Sequence, residues 1–339
     1  MSNRPIILSL LCVVLFFSGK RIYAQNTATP KYKNTLIQPP YLKTGDTVAI
    51  VAPSGILKNR TQEIEIAKDL LKSWGLEVVI GKNVFNENNH FAGTDDERGA
   101  DFQKALDNKS TKAIWCARGG YGTVRILDKL DYTQFKKNPK WIIGYSDITA
   151  LHSQIHNIGV ESLHAMMCAS LQDDTQEIEE TIQTFKAALF GNPLKYILKG
   201  SEYNKTGSVT APIVGGNLTV LHTLLGSKTS MDTSGKILFI EDIGEYKYHI
   251  DRMLQSLKRA GYFDNCKGLI VGDMTKLRKN TTLWGSSVEQ LILDALSDYH
   301  FPIAFNMPAG HEKDNRAMIL GRNIHLNVSK EQSIIVFEN

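Results

Sequence analysis

The chain is poor in cysteine, and the little it has falls in no pattern. Four cysteines occur in 339 residues, none in a C-x-x-C pair, so neither a disulfide framework nor a zinc site is expected. No apolar run reaches the roughly 20 residues that a membrane-spanning helix needs. No basic stretch carries interleaved aromatics, and the formal charge is only +4 with acids and bases interspersed. A nucleic-acid partner is therefore not expected. GxxxxGK[ST] and GxGxxG are both absent, which leaves a nucleotide site without its usual fingerprints. The hydrophobic share is 42% and the charged share 22%, the balance of a globular protein with a real core. The length suits two domains of ordinary size.

The first 24 residues differ from the rest. One arginine precedes an apolar run from Pro5 to Phe17, and a polar stretch follows that ends in Ile22, Tyr23 and Ala24. This is the form of a signal peptide cut after Ala24, with a retained anchor as the alternative. Cys12 lies inside the apolar run and is not read as a lipid-attachment site. The mature chain is expected to be exported, to the periplasm, with no stable membrane insertion once the signal is removed. Its remaining cysteines, Cys116, Cys168 and Cys266, are read as buried free thiols.

Residues 25–44 are polar with three prolines and read as a linker. From 45 to 170 apolar strands alternate with amphipathic helices. "TVAIVAPSG", "LEVVIG", "KAIWCA" and "KWIIGYS" are the strands; helices fall over "RTQEIEIAKDLLKSWG", "DDERGADFQKALDN" and 121–130. Such alternation predicts an α/β fold with a doubly wound parallel sheet. Residues 171–207 read as a connecting segment, an amphipathic helix followed by a bridge. A smaller C-terminal α/β domain is expected over 208–339, with "SVTAPIVGG", "KILFIED" and "CKGLIVGDM" as strands, closed by the short strands "FPIAFN", "AMILG" and "NIHLNV". Ligands of such sheets bind outside the carboxyl ends of the strands. "APSG", "RGGYG" and "GYSD" all stand there, the first argument for a site.

Ser146 closes the strand "KWIIGYS". A serine at a sharp strand-to-helix turn exposes its hydroxyl beside backbone N–H groups; a serine there also caps helices. "IIGYSDIT" has Ile148 where the second glycine of G-x-S-x-G would stand, so this is not the usual α/β-hydrolase elbow. A serine nucleophile needs a base, and that base an orienting acid. Of nine histidines, His311 in "PAGHEKDN" is the candidate, because it falls in a turn between short strands. His152 and His156 read as helix-surface or packing residues, and His164 as a satisfied, partly buried one. For the acid, Glu241 completes the strand "KILFIE" and is favoured over Asp242, which with Glu245 reads as solvent-facing or helix-capping. An N–H of Gly119 or Gly120, with that of Asp147, can hold an oxyanion. The alternatives for the glycine turn are a phosphate cradle or a plain tight turn. Arg118 can meet a carboxylate or form a surface ion pair.

These motifs, "TVAIVAPSG", "FAGTDDERGADFQKAL", "RGGYG", "IIGYSDIT", "GGNLTVL", "LFIEDIGE" with "HIDRMLQSL", and "GHEKDN", occur in this order over residues 42–325. Together they resemble the LD-carboxypeptidases, the muramoyltetrapeptide carboxypeptidase family of serine peptidases. The resemblance implies a Ser146–Glu241–His311 triad and an oxyanion hole at Gly120 and Asp147. Arg118, Gly119 and Tyr121 would face the substrate. It implies an active site in the cleft between two domains, a homodimer, no metal or organic cofactor, and a peptidoglycan stem peptide as substrate, cut before its terminal D-alanine. Two other readings stand beside it: a self-immunity hydrolase of peptidyl-nucleotide antibiotics, and a non-catalytic module that binds cell-wall peptides.

Overall fold

The computed structural model describes residues 36–171 and 176–338. The signal-peptide reading of residues 1–24 lies outside the described residues. In chain order the elements are β1 (Thr47–Val51), α1 (Thr61–Ser73), β2 (Glu77–Ile80), α2 (Asp95–Asp107), β3 (Thr111–Cys116), α3 (Thr123–Leu127), α4 (Thr133–Lys137), β4 (Trp141–Gly144), α5 (Thr149–Ile158) and β5 (Ser162–His164). Then come α6 (Glu179–Phe190), β6 (Lys195–Lys199), β7 (Gly207–Asn217), α7 (Leu218–Thr223), β8 (Ile237–Ile243), α8 (Lys247–Arg259) and β9 (Gly268–Thr275). The chain ends with α9 (Val288–Ala295), β10 (Ile303–Ala304), β11 (Met318–Leu320), β12 (Asn323–Val328) and β13 (Gln332–Phe337). The sequence places α2 correctly because its start is written chemically. Thr94 and Glu97 form a reciprocal capping box, with three acids in the first turn, each a favourable partner for unpaired N–H groups and the helix dipole.

Two mixed sheets result. The first has the order β11-β5-β4-β3-β1-β2, the second β10-β9-β8-β7-β12-β13-β6. In the first, β2, β1, β3, β4 and β5 run parallel. In the second, β7 to β10 run parallel, and β12, β13 and β6 add an antiparallel half. Two expectations are corrected. "AMILG" does not close the second sheet: β11 pairs antiparallel with β5 at the edge of the first. The stretch read as a bridge contains β6, an edge strand whose exposed and buried residues alternate strictly. That alternation over "KYILK" is the signature of a strand with one wet face.

Alternate residues of the parallel strands point to opposite layers. Val48, Ile50, Ile213 and Phe239 enter a shared core, whereas Ala49, Val51, Val214 and Leu238 pack under helices on the outer faces. Burial on both faces explains the near-continuous apolar runs. Residues 36–44 lie against the first sheet: Ile37 bridges to Val160, Leu42 is buried, and the Pro40 carbonyl accepts from Trp141 Nε1 at 3.0 Å. A buried ion pair ties the far end of the chain to this region. Arg322 donates to both oxygens of Glu161, at 2.8 and 2.7 Å, and further to Tyr41 and the Glu338 carbonyl. Burial lowers the Arg322 pKa, but the bond and charge of Glu161 outweigh it and hold it raised. Arg322→Ala strands the Glu161 carboxylate, so it is expected to cost about 3–5 kcal/mol in urea unfolding.

Candidate active site

The turn after β4 is strained where the hydroxyl emerges. Tyr145 is extended, and Ser146 then adopts φ +60, a left-handed conformation that costs a non-glycine residue about 1–2 kcal/mol. Neighbouring bonds hold it. Asp147 is buried, and its Oδ2 accepts from Ser54 Oγ at 2.6 Å and from the Thr123 N–H at 2.8 Å. His152, on α5, donates through Nε2 to the Gly144 carbonyl at 2.9 Å and meets Ser162 Oγ at 2.9 Å through Nδ1. His152 and His156 are thus both buried rather than at the helix surface, and burial pulls them down to about 4 and about 3. His164 is wholly buried, edge-on to Phe239 at 5.1 Å.

Ser146 Oγ lies 3.0 Å from His311 Nε2, and His311 Nδ1 lies 2.7 Å from Glu241 Oε2. A carboxylate only accepts, so Nδ1 carries the proton and Nε2 is left to accept from the serine. Glu241 is fully buried, and its Oε1 has no hydrogen-bond partner among the described residues. It sits in β8 opposite a register shift in the pairing with β9. Gly272 and Asp273 together stand opposite Glu241, one residue more on β9 than on β8. A Cβ on Gly272 would stand 2.3 Å from the Ala309 carbonyl oxygen, and the Asp273 N–H donates to that oxygen at 3.0 Å. The bulge and the missing side chain let the 307–311 segment come close enough to place His311 on Glu241, as bulges near functional sites do. Asp273 Oδ2 also accepts from the Glu312 N–H at 3.3 Å.

The charges around His311 act in one direction. Its own burial lowers the pKa, but the hydrogen bond and charge of Glu241, with the charges of Asp242 and Asp273, leave it raised. Burial first, then neighbouring carboxylates, push Asp242 and Asp273 up to about 6. Asp242 is buried, not solvent-facing, and accepts from the Thr219 N–H and Oγ1 at the start of α7.

The glycine turn after β3 touches the serine. A Cβ on Gly119 would meet Ser146 Cβ at 3.2 Å and Oγ at 3.4 Å, so any side chain there would press on the hydroxyl. Gly120 follows at φ +102. Arg118 donates to the Ile56 carbonyl. Tyr121 is 47% exposed, its ring against Phe91 and His90. Arg98 ties the loops together by donating to the Pro53 and Gly122 carbonyls. The parts that sequence reading missed are the supports: Asp147 as an acceptor, Ser54, Thr123, Arg98 and the β9 bulge. Only "APSG" and the "GD" of β9 hinted at them. Among the described residues, no group of three or more His, Cys, Asp or Glu is placed to hold a metal ion. No helix there is long and apolar enough to cross a membrane.

Residues 48–165 match the model of the LD-carboxypeptidase N-terminal domain, and residues 210–326 that of the LD-carboxypeptidase C-terminal domain. A probable murein peptide carboxypeptidase of Bacillus subtilis is 33% identical over 316 residues, covering 88% of this chain and 94% of its own length. The crystal structure of muramoyltetrapeptide carboxypeptidase from Oxalobacter formigenes superposes with a TM-score of 0.78 at 28% identity, covering 86% of this chain and 99% of that one. The microcin C7 self-immunity protein in complex with aspartyl sulfamoyl adenosine superposes with a TM-score of 0.79 at 22% identity, over 89% of this chain and 99% of that one. That last likeness is one of fold.

Proposed function

The chain belongs to the LD-carboxypeptidase family, and from that premise we propose that it is an exported serine carboxypeptidase releasing the terminal D-alanine of peptidoglycan tetrapeptides. What carries the reading is the unbroken line Ser146 Oγ, His311 Nε2, His311 Nδ1, Glu241 Oε2, with links of 3.0 and 2.7 Å. Ser146 attacks the amide carbonyl before D-alanine while His311 Nε2 takes its proton. Glu241 fixes the imidazole tautomer and stabilises the imidazolium. N–H groups of Gly120 and Asp147 hold the oxyanion. His311 then protonates the leaving amine, and water, activated by the same imidazole, frees the acyl group. The names of the relatives support a murein peptide as substrate. Export rests on residues 1–24 alone, and a homodimer on the family resemblance.

The test is mass spectrometry of disaccharide tetrapeptide and free tetrapeptide incubated with the purified protein. The expected result is loss of a single alanine from one or both. Unchanged masses at long incubation would refute the proposed reaction.

A further inference from the structure

The direction of proton transfer locates the leaving half of the substrate. The imidazole that receives the serine proton must return it to the departing nitrogen, so the departing amino acid lies on the His311 side of Ser146. A cavity of about 340 Å³ is lined by His311 and Tyr145, with the cations Arg60, Lys276 and Lys313 and the acids Glu177 and Glu312 also on its wall. The carboxylate of a terminal amino acid is two bonds from its nitrogen, so it enters this cavity with the amine. A carboxylate leaving water needs a cation to meet it.

The three cations are not equivalent. Lys313 has its single ammonium engaged by Glu177, whereas the ion pair of Arg60 with Glu63 takes only Nη1. Lys276 leaves the end of β9 from a left-handed backbone, φ +50, as a single ammonium on a flexible stem. Arg60 is held in place: Nη1 donates to the Ala169 carbonyl at 2.8 Å and to Glu63 at 3.3 Å. Its Nε and Nη2 make no hydrogen bond with other described residues. A guanidinium anchored through one nitrogen presents the others as a ready fork, the geometry that matches a carboxylate with two parallel bonds. Arg118, the other arginine near the site, has its guanidinium turned to the Ile56 carbonyl and does not line this cavity.

We propose that Arg60 is the specificity residue that reads the terminal carboxylate of the leaving amino acid, which makes the protein trim a chain end and leave internal bonds uncut. This rests on the carboxypeptidase reading above and deepens it.

The experiment compares the tetrapeptide as free acid with the same peptide as C-terminal carboxamide, by kcat/KM, in the native protein and in Arg60→Gln, Arg60→Lys and Arg118→Gln. The native protein should prefer the acid by about 10- to 100-fold, the worth of a charge-assisted pair. Arg60→Gln should bring the two substrates within about twofold of each other, and Arg60→Lys should recover part of the preference. The ratio is taken on one sample, so partial unfolding does not alter it. A native protein that cuts both substrates equally overturns the proposal. So does an Arg60→Gln protein that keeps the native ratio, or loss of the preference in Arg118→Gln alone. If the native protein cuts neither peptide, the carboxypeptidase reading fails and this inference with it; cleavage with an unchanged ratio in Arg60→Gln overturns only the role of Arg60.

Discussion

Ser146→Ala is expected to lower kcat for the tetrapeptide by at least about ten-thousand-fold, the scale on which serine nucleophiles of triads are lost. Its unfolding midpoint should stay close to native. Alanine keeps the Cβ that makes φ +60 unfavourable and loses only the bond from Oγ to His311. Ser146→Gly separates strain from chemistry. It removes the same hydroxyl but relieves the backbone, so it should be equally inactive yet about 1 kcal/mol more stable. A serine that merely capped a helix would behave otherwise: its removal would cost stability and leave catalysis alone. No side-chain cap is seen at the start of α5. Strain concentrated at the proposed nucleophile, and held by Asp147 and His152, is stability given up for geometry.

Glu241→Gln should lower kcat by about a thousand- to ten-thousand-fold, because the amide can hold the imidazole in the wrong tautomer and cannot stabilise its cation. The second readout is the pH profile. His311 acts as a base only when neutral; burial lowers its pKa, but the hydrogen bond and charge of Glu241, with the charges of Asp242 and Asp273, leave it raised. The acidic limb of kcat/KM in the native protein should therefore lie above the ordinary histidine value of about 6.5. In Glu241→Gln the carboxylate charge is gone, any remaining bond is to a neutral amide, and the burial stays, so the limb should move to lower pH. Asp242 and Asp273, both pushed to about 6, titrate beside it. The native limb should accordingly be broader than a single ionisation gives. A limb that stays where it was in Glu241→Gln would mean that another group sets it.

Much of this site is legible in the sequence, for a physical reason. The proposed nucleophile, base and acid each stand at the end of an apolar strand or in a turn beside one, where parallel α/β sheets gather their ligands. Ser146 after "KWIIGY" and Glu241 after "KILFI" follow that rule, and His311 is found by its Pro and Gly neighbours. What cannot be read is what long-range packing decides. β11 joins the first sheet because its three buried residues complete the edge beside β5, and nothing local in "AMILG" names its partner. The bulge opposite Glu241 appears in sequence only as Gly272 before Asp273. For His152 and His156 the sequence leaves surface and packing roles open, because a helix preceding a short strand carries no mark of being covered on every side; both are buried. Arg60 lies in a polar stretch at the start of α1, and only the fold brings it to the wall of the cavity that His311 also lines.

The most direct test is peptide mapping of the protein quenched in acid during turnover of the tetrapeptide. A tripeptide ester on Ser146 is expected, absent from the Ser146→Ala protein, which should release D-alanine at no more than a residual rate. An ester on another side chain, or D-alanine release by Ser146→Ala at the native rate, would contradict Ser146 as the nucleophile.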